Sequence, residues 1–278
     1  MAITKKNKKH MKINLKDVTF LITIQPDSII RIENLLMTTD FLITNFDCSI
    51  NVLEVSTYNN HIIEKMIDSS INYTFVEDND TIFYRTKYLN LMVEEVRTEY
   101  ICIWDVDTII PPCQIEISIN NLRYGKFNVA IPYDGKALDT SFILRSIYQK
   151  NKNVDFLIKH KNKMKILHNN TSLQGGAVFI RLTDYIHAGK ENPFFYGWGG
   201  EDFERIERWN ILGYNICYTN GFLFHLSHPR GINSKYSNIE NFKNTEEELF
   251  DTKKCSFDEI SSLIQERNLY TSFLFCDL

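Results

Sequence analysis

Residues 198–202, Trp-Gly-Gly-Glu-Asp, combine side chains that could bind a sugar ring and activate a hydroxyl group. The indole of Trp198 offers a flat apolar face for stacking. Gly199 and Gly200 let a backbone approach a ligand closely, because no side chain blocks it. A carboxylate can hold a hydroxyl group and take its proton. The segment therefore predicts that Glu201 and Asp202 do chemistry, rather than only compensate the dipole of a helix N-terminus.

A second group of candidate residues is the sequence Asp105-Val-Asp107, which follows the apolar run 100–104. An Asp-x-Asp pair alone is common in turns. At the end of a buried strand, however, two such carboxylates can bind a divalent cation and a ribose or phosphate group together. Magnesium and manganese ions take carboxylate oxygens as ligands and accept phosphate oxygens as further ones. The position therefore predicts a metal site.

Two histidines, His225 and His228, follow the apolar run 222–224. A histidine pair without such context more often packs in the core or on the surface than binds a metal. Imidazole suits manganese and other transition ions better than magnesium. Because the pair follows a predicted strand and Asp107 offers a carboxylate, we expect at least one of the two histidines to bind a metal ion.

Short apolar runs alternate with segments of helical spacing in the first half of the chain. The predicted strands are 18–24, 50–55 and 100–104, and the predicted helices are 29–37 and 84–96. This alternation favours an α/β fold with a largely parallel sheet, in which ligands bind beyond the carboxyl ends of the strands. Gln25, Asp27, Glu54 and Asp105 follow or end these strands, so we expect them to face a ligand.

The second half of the chain is more mixed. It contains predicted strands at 128–132, 176–180, 215–219 and 222–224, and predicted helices at 201–212 and 256–267. The last helix opens with a capping box, Ser256 to Glu259, and is expected to be structural. At the start of the helix 84–96, Arg85 could neutralise a diphosphate and Phe83 could stack on a base, although this segment alone is typical of an ordinary amphipathic helix.

Composition limits the class of protein. The 278 residues allow one large domain or two small ones, and 44% hydrophobic residues suffice for a sizeable core. The net charge of -4 argues against a nucleic-acid partner. Six scattered cysteines without a Cys-x-x-Cys pair indicate reduced thiols in a cytoplasmic protein. We find no apolar run long enough to span a membrane.

Lysines are concentrated at the N-terminus, at positions 5, 6, 8, 9, 12 and 16. This composition is typical of a solvated, disordered tail over residues 1–16. The alternative is a weak, peripheral contact with the anionic inner face of a membrane, since each basic residue near such a surface contributes about 1 kcal/mol.

The ordered set of motifs resembles the β-1,4-galactosyltransferase family of GT-A-fold glycosyltransferases and its bacterial relatives. The resemblance covers about residues 18–230 and includes Phe83-x-Arg85-x-Lys87-x-x-Asn90, Asp105-Val-Asp107, Gly175-Gly176, Gly197-Trp-Gly-Gly-Glu-Asp202 and His225-x-x-His228. It implies a single Rossmann-like domain over residues 17–230, with a mixed, mostly parallel sheet. Residues 17–112 would bind the nucleotide, 113–230 would carry the acceptor site, and 231–278 would be a packed C-terminal extension.

The resemblance also implies roles for individual residues. Phe83, Arg85, Asn90 and Gly176 would bind a UDP-sugar, with Gln25, Asp27, Glu54 and Asp105 on the same donor side. Asp107, His228 and His225 would bind Mn²⁺ or Mg²⁺. Trp198, Gly199, Gly200 and Glu201 would contact the acceptor sugar, and Asp202 would be the general base.

The implied reaction is inverting transfer of a hexose, galactose in the first instance, from a UDP-sugar to a hydroxyl group of a glycan or lipid-linked saccharide. Surface polysaccharide or capsule synthesis is the expected setting. His225 stands where animal members commonly have methionine, and residues 171–174 lack the tyrosines expected before Gly175. A hexosaminyltransferase of the same fold, a non-catalytic binding module and a metal-dependent hydrolase or nucleotidyltransferase remain as alternatives.

Overall fold

The computed structural model describes residues 11–168 and 172–274. Its strands form one large and one small sheet. They are β1 (Ile13–Ile24), β2 (Phe46–Ser56), β3 (Asn72–Glu77), β4 (Tyr100–Trp104), β5 (Thr108–Ile109), β6 (Val129–Ile131), β7 (Ala137–Asp139), β8 (Lys165–Ile166), β9 (Ala177–Arg181), β10 (Ile216–Tyr218) and β11 (Leu223–His225).

Helices connect most of these strands. They are α1 (Ile29–Asn45), α2 (Ile62–Met66), α3 (Arg85–Val93), α4 (Pro112–Tyr124), α5 (Ser141–Asn151), α6 (Val154–Lys159), α7 (Leu182–His187), α8 (Glu201–Ile211), α9 (Ile239–Lys254) and α10 (Phe257–Leu274). Short 3₁₀ turns lie at Lys161–Lys163 and Ile232–Ser234.

Within the described ranges, the large sheet has seven strands in the order β10-β6-β9-β4-β1-β2-β3. Strand β9 runs antiparallel to its neighbours β4 and β6, and the other neighbouring strands are parallel. The expected α/β fold with a mixed, mostly parallel sheet is therefore confirmed. Strands from both expected halves of the domain, residues 17–112 and 113–230, join in this one sheet.

The core lies along the central strands. The segment 18–24 of β1 is apolar apart from two threonines and is buried along its whole length. The ring of Phe20 meets Trp104 of β4 edge-on at 5.4 Å and Phe179 of β9 at 5.8 Å. Because strands buried on both faces read as continuous apolar runs, this part of the sheet was visible in the sequence.

The first strand begins earlier than the sequence indicated. The expected tail, residues 1–16, is wrong at its end, because Ile13 to Leu15 already pair in register with Phe46 to Cys48 of β2. Leu15 is fully buried, and its burial explains why the strand extends into the lysine-rich segment. Lysines 5, 6, 8 and 9, on which the expected membrane contact depends, lie outside the described residues. No helix in the described ranges is both long and apolar enough to cross a bilayer.

The C-terminal extension packs on α8 through buried ion pairs. Glu204, fully buried on α8, accepts hydrogen bonds from Arg208 at 3.0 Å and from Arg267 of α10 at 3.0 Å. Arg267 also donates to Glu248 of α9 at 2.6 Å. The predicted capping box forms, since Ser256 N donates to the Glu259 carboxylate at 2.7 Å and Glu259 N to the Ser256 hydroxyl at 3.3 Å.

We expect Arg267→Ala to lower the free energy of unfolding by about 2–3 kcal/mol, because it removes one of the cations that compensate the buried Glu204 charge. Urea denaturation followed by circular dichroism measures this change. The exposed Arg97, which donates to backbone carbonyl groups, provides the control Arg97→Ala. Equal stability of the two variants would contradict an anchoring role for Arg267.

Candidate active site

A cleft of about 560 Å³ opens beside the carboxyl end of β4 and the N-terminus of α8. Twelve of the predicted site residues line it: Phe83, Arg85, Asp105, Asp107, Gly176, Trp198, Gly199, Gly200, Glu201, Asp202, His225 and His228. These side chains come from segments far apart in the sequence. The sheet topology brings the segments together, because the carboxyl end of β4 lies beside the start of β9 and close to β11.

One end of the cleft holds a candidate metal site. The ligand atoms of Asp107, His225 and His228 all lie within 4.8 Å of one another. The Asp107 Oδ2 atom is 3.2 Å from His228 Nε2 and 3.8 Å from His225 Nε2. One carboxylate and two imidazoles form a donor set that suits manganese and other transition ions.

Both histidines are oriented by groups behind them. His225 Nδ1 is 3.0 Å from Asp139 Oδ1, which also accepts a hydrogen bond from the Ser227 hydroxyl at 2.6 Å. His228 Nδ1 lies 2.8 Å from the carbonyl oxygen of Pro229. If each Nδ1 carries the proton that it donates, both Nε2 lone pairs face Asp107. Such outer hydrogen bonds are typical of histidines that bind metals.

Backbone pairing places these ligands. Strand β11 runs antiparallel to β5, with His225 opposite Thr108, and Leu226 N donates to the Asp107 carbonyl at 2.7 Å. The end of β11 therefore lies directly against the Asp-x-Asp turn. Strand β7 pairs with the other side of β11, with His225 opposite Asp139. The small sheet, which the sequence did not predict, thus fixes both a histidine and its supporting carboxylate.

The groups around Asp107 favour its ionised form. Burial disfavours its ionised form, but His225, His228 and Arg31 lower the pKa of Asp107 below its ordinary value. Arg31 Nη1 lies 3.8 Å from the Asp107 carboxylate. The side chain therefore remains an anion, which is the form that binds a metal.

Arg85 lies among three carboxylates rather than facing the cleft alone. It donates to Asp105 Oδ1 at 2.7 Å, and its Nη1 atom is 3.9 Å from Glu201 and 3.8 Å from Asp202. Arg85 thus links the Asp-x-Asp turn to the start of α8. The sequence could not show this pairing, because Arg85 and Glu201 belong to segments that only the fold brings together.

Asp202 is held by a second, buried arginine. Arg205 Nη2 donates to Asp202 Oδ1 at 2.5 Å, and Arg205 Nη1 donates to Glu191 at 2.9 and 3.0 Å. Although burial raises it, Arg205 and Arg85 hold the pKa of Asp202 below its ordinary value. A Cβ atom at Gly175 would come within 1.9 Å of Asp202 Oδ2, so only glycine leaves room for this carboxylate.

Glu201 differs from its neighbour in charge state. Burial and the Asp202 carboxylate raise the pKa of Glu201 to about 7. Its Oε2 atom accepts a hydrogen bond from Gly199 N at 3.1 Å. Two adjacent carboxylates whose pKa values are pushed in opposite directions are a common arrangement in enzymes that divide acid and base roles.

The two glycines of the 198–202 segment are required for a different reason than the sequence indicated. Gly199 has φ +108° and Gly200 has φ +84°, and a Cβ atom on them would meet Tyr236 at 2.8 Å and Thr245 at 2.5 Å. Both line the cleft, but it is the C-terminal extension that approaches their backbone closely. The ring of Tyr236 also meets the Trp198 indole edge-on at 5.4 Å.

Gln25, Asp27, Glu54 and Asn90 are not among the residues that line this cleft, and their predicted donor contacts stay predictions. Gln25 contacts Asn233, and Asp27 accepts from Arg31 at 3.1 Å. Glu54 is fully buried and accepts from the Tyr73 hydroxyl at 2.7 Å.

The side chain of Asn90 accepts a hydrogen bond from Glu191 N at 2.8 Å and donates one to the Glu191 carbonyl at 2.9 Å. Strand ends and helix starts identify an edge of the sheet, but they do not show which side chains face the ligand. For Asn90, the packing of α3 against the 191 loop decides the orientation.

Sequence reasoning missed several lining or supporting residues. Tyr133 lines the cleft and donates to the Gly175 carbonyl at 2.5 Å. Arg31, Asp139, Arg205 and Tyr236 likewise act around the site. Arg31 had one available signal, since it follows Asp27 by one helical turn. The others depend on tertiary contacts that no local pattern records.

Solved structures of known proteins match the fold. The catalytic domain of Drosophila β1,4-galactosyltransferase 7, in complex with xylobiose, aligns at 15% identity and a TM-score of 0.50, covering 87% of this chain and 82% of that one. A mannosyltransferase from Pyrobaculum calidifontis, in complex with GDP-mannose and Mn²⁺, aligns at 12% identity and a TM-score of 0.50, covering 77% of this chain and 58% of that one.

These structures establish the architecture. The chain has the GT-A glycosyltransferase fold. No protein-family model and no curated protein sequence matches the chain. Membership of the β-1,4-galactosyltransferase family therefore stays a prediction, which depends on the motifs.

We expect Asp107→Ala and His228→Ala to abolish Mn²⁺ binding, because each removes one of the ligands in the cluster. Asp139→Asn should weaken binding by about 10–100-fold, since it disturbs the orientation of His225. Isothermal titration calorimetry with MnCl₂ measures these affinities. His61→Ala on the surface is the control. Wild-type affinity in Asp107→Ala would contradict the metal site.

The raised pKa of Glu201 predicts a pH-dependent loss of stability. Glu201 makes its full contribution to the free energy of unfolding below about pH 4.5, the pKa of a glutamate in the unfolded chain. This contribution is lost as the pH rises through about 7, the pKa of Glu201 in the folded protein. Glu201→Gln removes this loss, so the variant should be more stable than wild type at pH 8 by about 2–3 kcal/mol, but not at pH 4.5. Denaturant unfolding at the two pH values measures the difference, with the exposed Glu240→Gln as control. The same difference at both values would contradict the assignment.

Proposed function

We propose that the protein is a metal-dependent, inverting glycosyltransferase that moves a hexose from a UDP-sugar to a hydroxyl group of a glycan or lipid-linked saccharide. The observation that carries this proposal is the composition of one cleft. The candidate metal ligands Asp107, His225 and His228 lie in the same cavity as Asp202, a carboxylate that stays ionised. The indole of Trp198 lines this cavity as well. On a GT-A fold, these two features supply the two requirements of sugar transfer, a held diphosphate and an activated acceptor.

The donor would bind at the Asp107 end of the cleft. A metal ion bound there by Asp107, His225 and His228 would neutralise the diphosphate and stabilise the departing nucleotide. Arg31 and Arg230 line the same region and would add positive charge. Phe83 lines the cleft, and its ring stacks on Tyr88 at 5.8 Å, so that its other face is suited to a base. Asp105, next to Arg85, would contact the ribose.

The acceptor would bind at the Trp198 end. The indole and the neighbouring Tyr236 ring form an aromatic corner against which a sugar ring can pack. Glu201 would accept a hydrogen bond from the sugar. Asp202 would take the proton of the attacking hydroxyl, as general-base catalysis requires, and its low pKa keeps it ionised at neutral pH. Attack from the face opposite the departing diphosphate inverts the anomeric centre.

A buried chain of contacts would position this base. Asn90 holds the Glu191 backbone, Glu191 holds Arg205, and Arg205 holds Asp202. Arg205 and Glu191 are each 1% exposed. Asn90 thus supports the acceptor side through Glu191, and not the donor nucleotide directly.

Galactose is the donor sugar that we propose, because the 197–202 and 225–228 motifs resemble those of β-1,4-galactosyltransferases. A hexosaminyltransferase is the alternative within the same fold, because residues 171–174 lack the tyrosines expected before Gly175. Surface polysaccharide synthesis in the cytoplasm is the proposed setting.

A non-catalytic binding module is disfavoured, since it would have no need for the ionised carboxylate at position 202.

Asp202→Asn should reduce sugar transfer by about 10²–10⁴-fold, because the general base is lost, while UDP binding in Mn²⁺ is retained. A donor panel that includes UDP-galactose and UDP-N-acetylgalactosamine, with nucleotide release as readout, measures transfer and names the sugar. Glu207→Gln on the same helix is the control. Full transfer activity in Asp202→Asn would overturn its role as base.

The donor class has its own test. UDP at about 100 times its dissociation constant should stabilise the protein by about 2.7 kcal/mol in Mn²⁺, and the effect should vanish in EDTA. A thermal-shift comparison of UDP, GDP and CMP measures this. Stabilisation by GDP alone would overturn the UDP assignment, and no response to any nucleotide would overturn the transferase proposal.

A further inference from the structure

A basic and apolar surface lies beside the mouth of the cleft. It is formed by α5, α6, the 3₁₀ turn Lys161–Lys163 and β8, and we refer to it as the α5–β8 surface. Its exposed lysines are Lys150, Lys152, Lys159, Lys161, Lys163 and Lys165. One carboxylate, Asp155, lies in the same stretch. In a chain with a net charge of -4, this region therefore carries a local excess of positive charge.

Most of these lysines lack a carboxylate partner. Among the described residues, Lys152 is the member of the group that forms an ion pair, with Asp40 at 3.1 Å. Lys161 lies over the ring of Phe222, 5.3 Å from its centre. The remaining charges face solvent, and a surface of this kind attracts a polyanion or an anionic membrane.

Large apolar side chains are exposed among the lysines. Phe142 is 51% exposed, Ile143 73% and Ile147 40%, and they lie on the face of α5 opposite the buried Leu144 and Tyr148. The same surface also exposes Ile158 of α6 and Ile166 of β8. Aliphatic and aromatic side chains surrounded by lysines are typical of helices that lie in a membrane interface. A purely polyanionic partner would make no use of the exposed apolar groups.

The α5–β8 surface is tied to the cleft. Leu167 and His168, which follow β8 directly, line the cleft, and Leu167 N donates to the Ala137 carbonyl at 2.9 Å. Strand β8 pairs with β7, and α5 begins two residues after β7 ends. Contact of this surface with a membrane would therefore bring the cleft mouth close to the lipid headgroups.

The two described lysines of the N-terminal group lie at the end of β1 that is far from the cleft. Lys12 and Lys16 are at the start of β1, whereas Thr23, at the other end of that strand, lines the cleft. At about 3.3 Å per residue, the strand separates Lys12 from Thr23 by roughly 35 Å. A membrane contact through the start of β1 would thus hold the cleft away from the bilayer.

We propose that the α5–β8 surface docks on an anionic lipid bilayer and presents the cleft to it. The exposed apolar side chains of α5 enter the interface, and the lysines contact the anionic headgroups. The docking itself does not require the proposed function. Its consequence does rest on that function: the acceptor hydroxyl would belong to a lipid-linked saccharide.

Flotation with vesicles tests the docking without donor or acceptor. The full-length protein should bind vesicles of phosphatidylcholine with 30% phosphatidylglycerol, and not pure phosphatidylcholine. Replacing Lys159, Lys161, Lys163 and Lys165 together by glutamine should weaken binding by more than tenfold, since each lysine near an anionic surface contributes about fivefold. Phe142→Ser with Ile143→Ser should also weaken it by about tenfold. All the changed residues are exposed, and unchanged circular dichroism spectra would show that the variants fold.

A control variant changes the charge equally at a different place. Glutamine at the exposed Lys65, Lys126, Lys243 and Lys254 should leave vesicle binding unchanged. Glutamine at Lys5, Lys6, Lys8 and Lys9 should also leave it largely intact.

Other outcomes would overturn the proposal. Loss of binding in the N-terminal variant but not in the α5–β8 variant would assign the contact to the N-terminus. Binding to heparin without binding to anionic vesicles would indicate an acidic polymer instead. Flotation measures no reaction, so it tests the docking independently of the proposed function. A protein that binds vesicles but transfers no sugar would refute the proposed function and leave the docking intact.

Discussion

The site depends on the compensation of negative charge in a confined cleft. Asp105, Asp107, Glu201 and Asp202 converge there, and their mutual repulsion would otherwise raise their pKa values until some of them became protonated. Arg85 lies between the two pairs, Arg205 holds Asp202, and Arg31 lies beside Asp107. This distribution keeps Asp107 and Asp202 ionised, whereas burial and the neighbouring carboxylates raise the pKa values of both Glu201 and Asp105. Each proposed role in the reaction follows from this division of charge.

The compensating arginines are themselves fixed from outside the cleft. Arg205 is fully buried and needs Glu191, whose loop is in turn held by Asn90. About one turn along the same helix, Arg208 pairs with Glu204, and Arg267 from the C-terminal helix joins them. A buried ion pair costs desolvation and is stable only with good geometry. The concentration of such pairs in and around α8 therefore indicates that the orientation of this helix matters more than the stability it provides.

The sequence predicted the parts of the molecule that local patterns determine. Strand β4 was predicted to the residue because five apolar residues precede Asp105, and the start of α8 because Gly200 ends the loop before two acidic residues. The small sheet was missed because β5, β7 and β8 are two or three residues long, which is too short for a periodic pattern. Asp139 was missed with it, and its role exists only through the pairing of β7 with β11.

Donor contacts were the least predictable part of the candidate site. Asn90 and Arg85 lie on the same helix and were predicted to share a role, yet Arg85 faces the cleft and Asn90 faces the Glu191 loop. Spacing along a helix shows which residues share a face, but not which neighbour that face meets. Charge pairing was invisible for the same reason, since Arg85 and Asp202 are brought together only by the packing of α3 and α8 around the cleft.

Strand β7 connects the chemistry of the cleft to the outer surface. Its last residue, Asp139, orients His225, and the chain enters α5 two residues later with Phe142 and Ile143 exposed. Its other edge pairs with β8, which carries Lys165 and leads into the cleft-lining Leu167. Because the candidate metal ligand His225 and the apolar surface belong to one hydrogen-bonded unit, a membrane that holds this surface would also set the height of the candidate metal site above the lipid. An acceptor hydroxyl group on a lipid-linked saccharide would then have to lie at a matching distance from the bilayer.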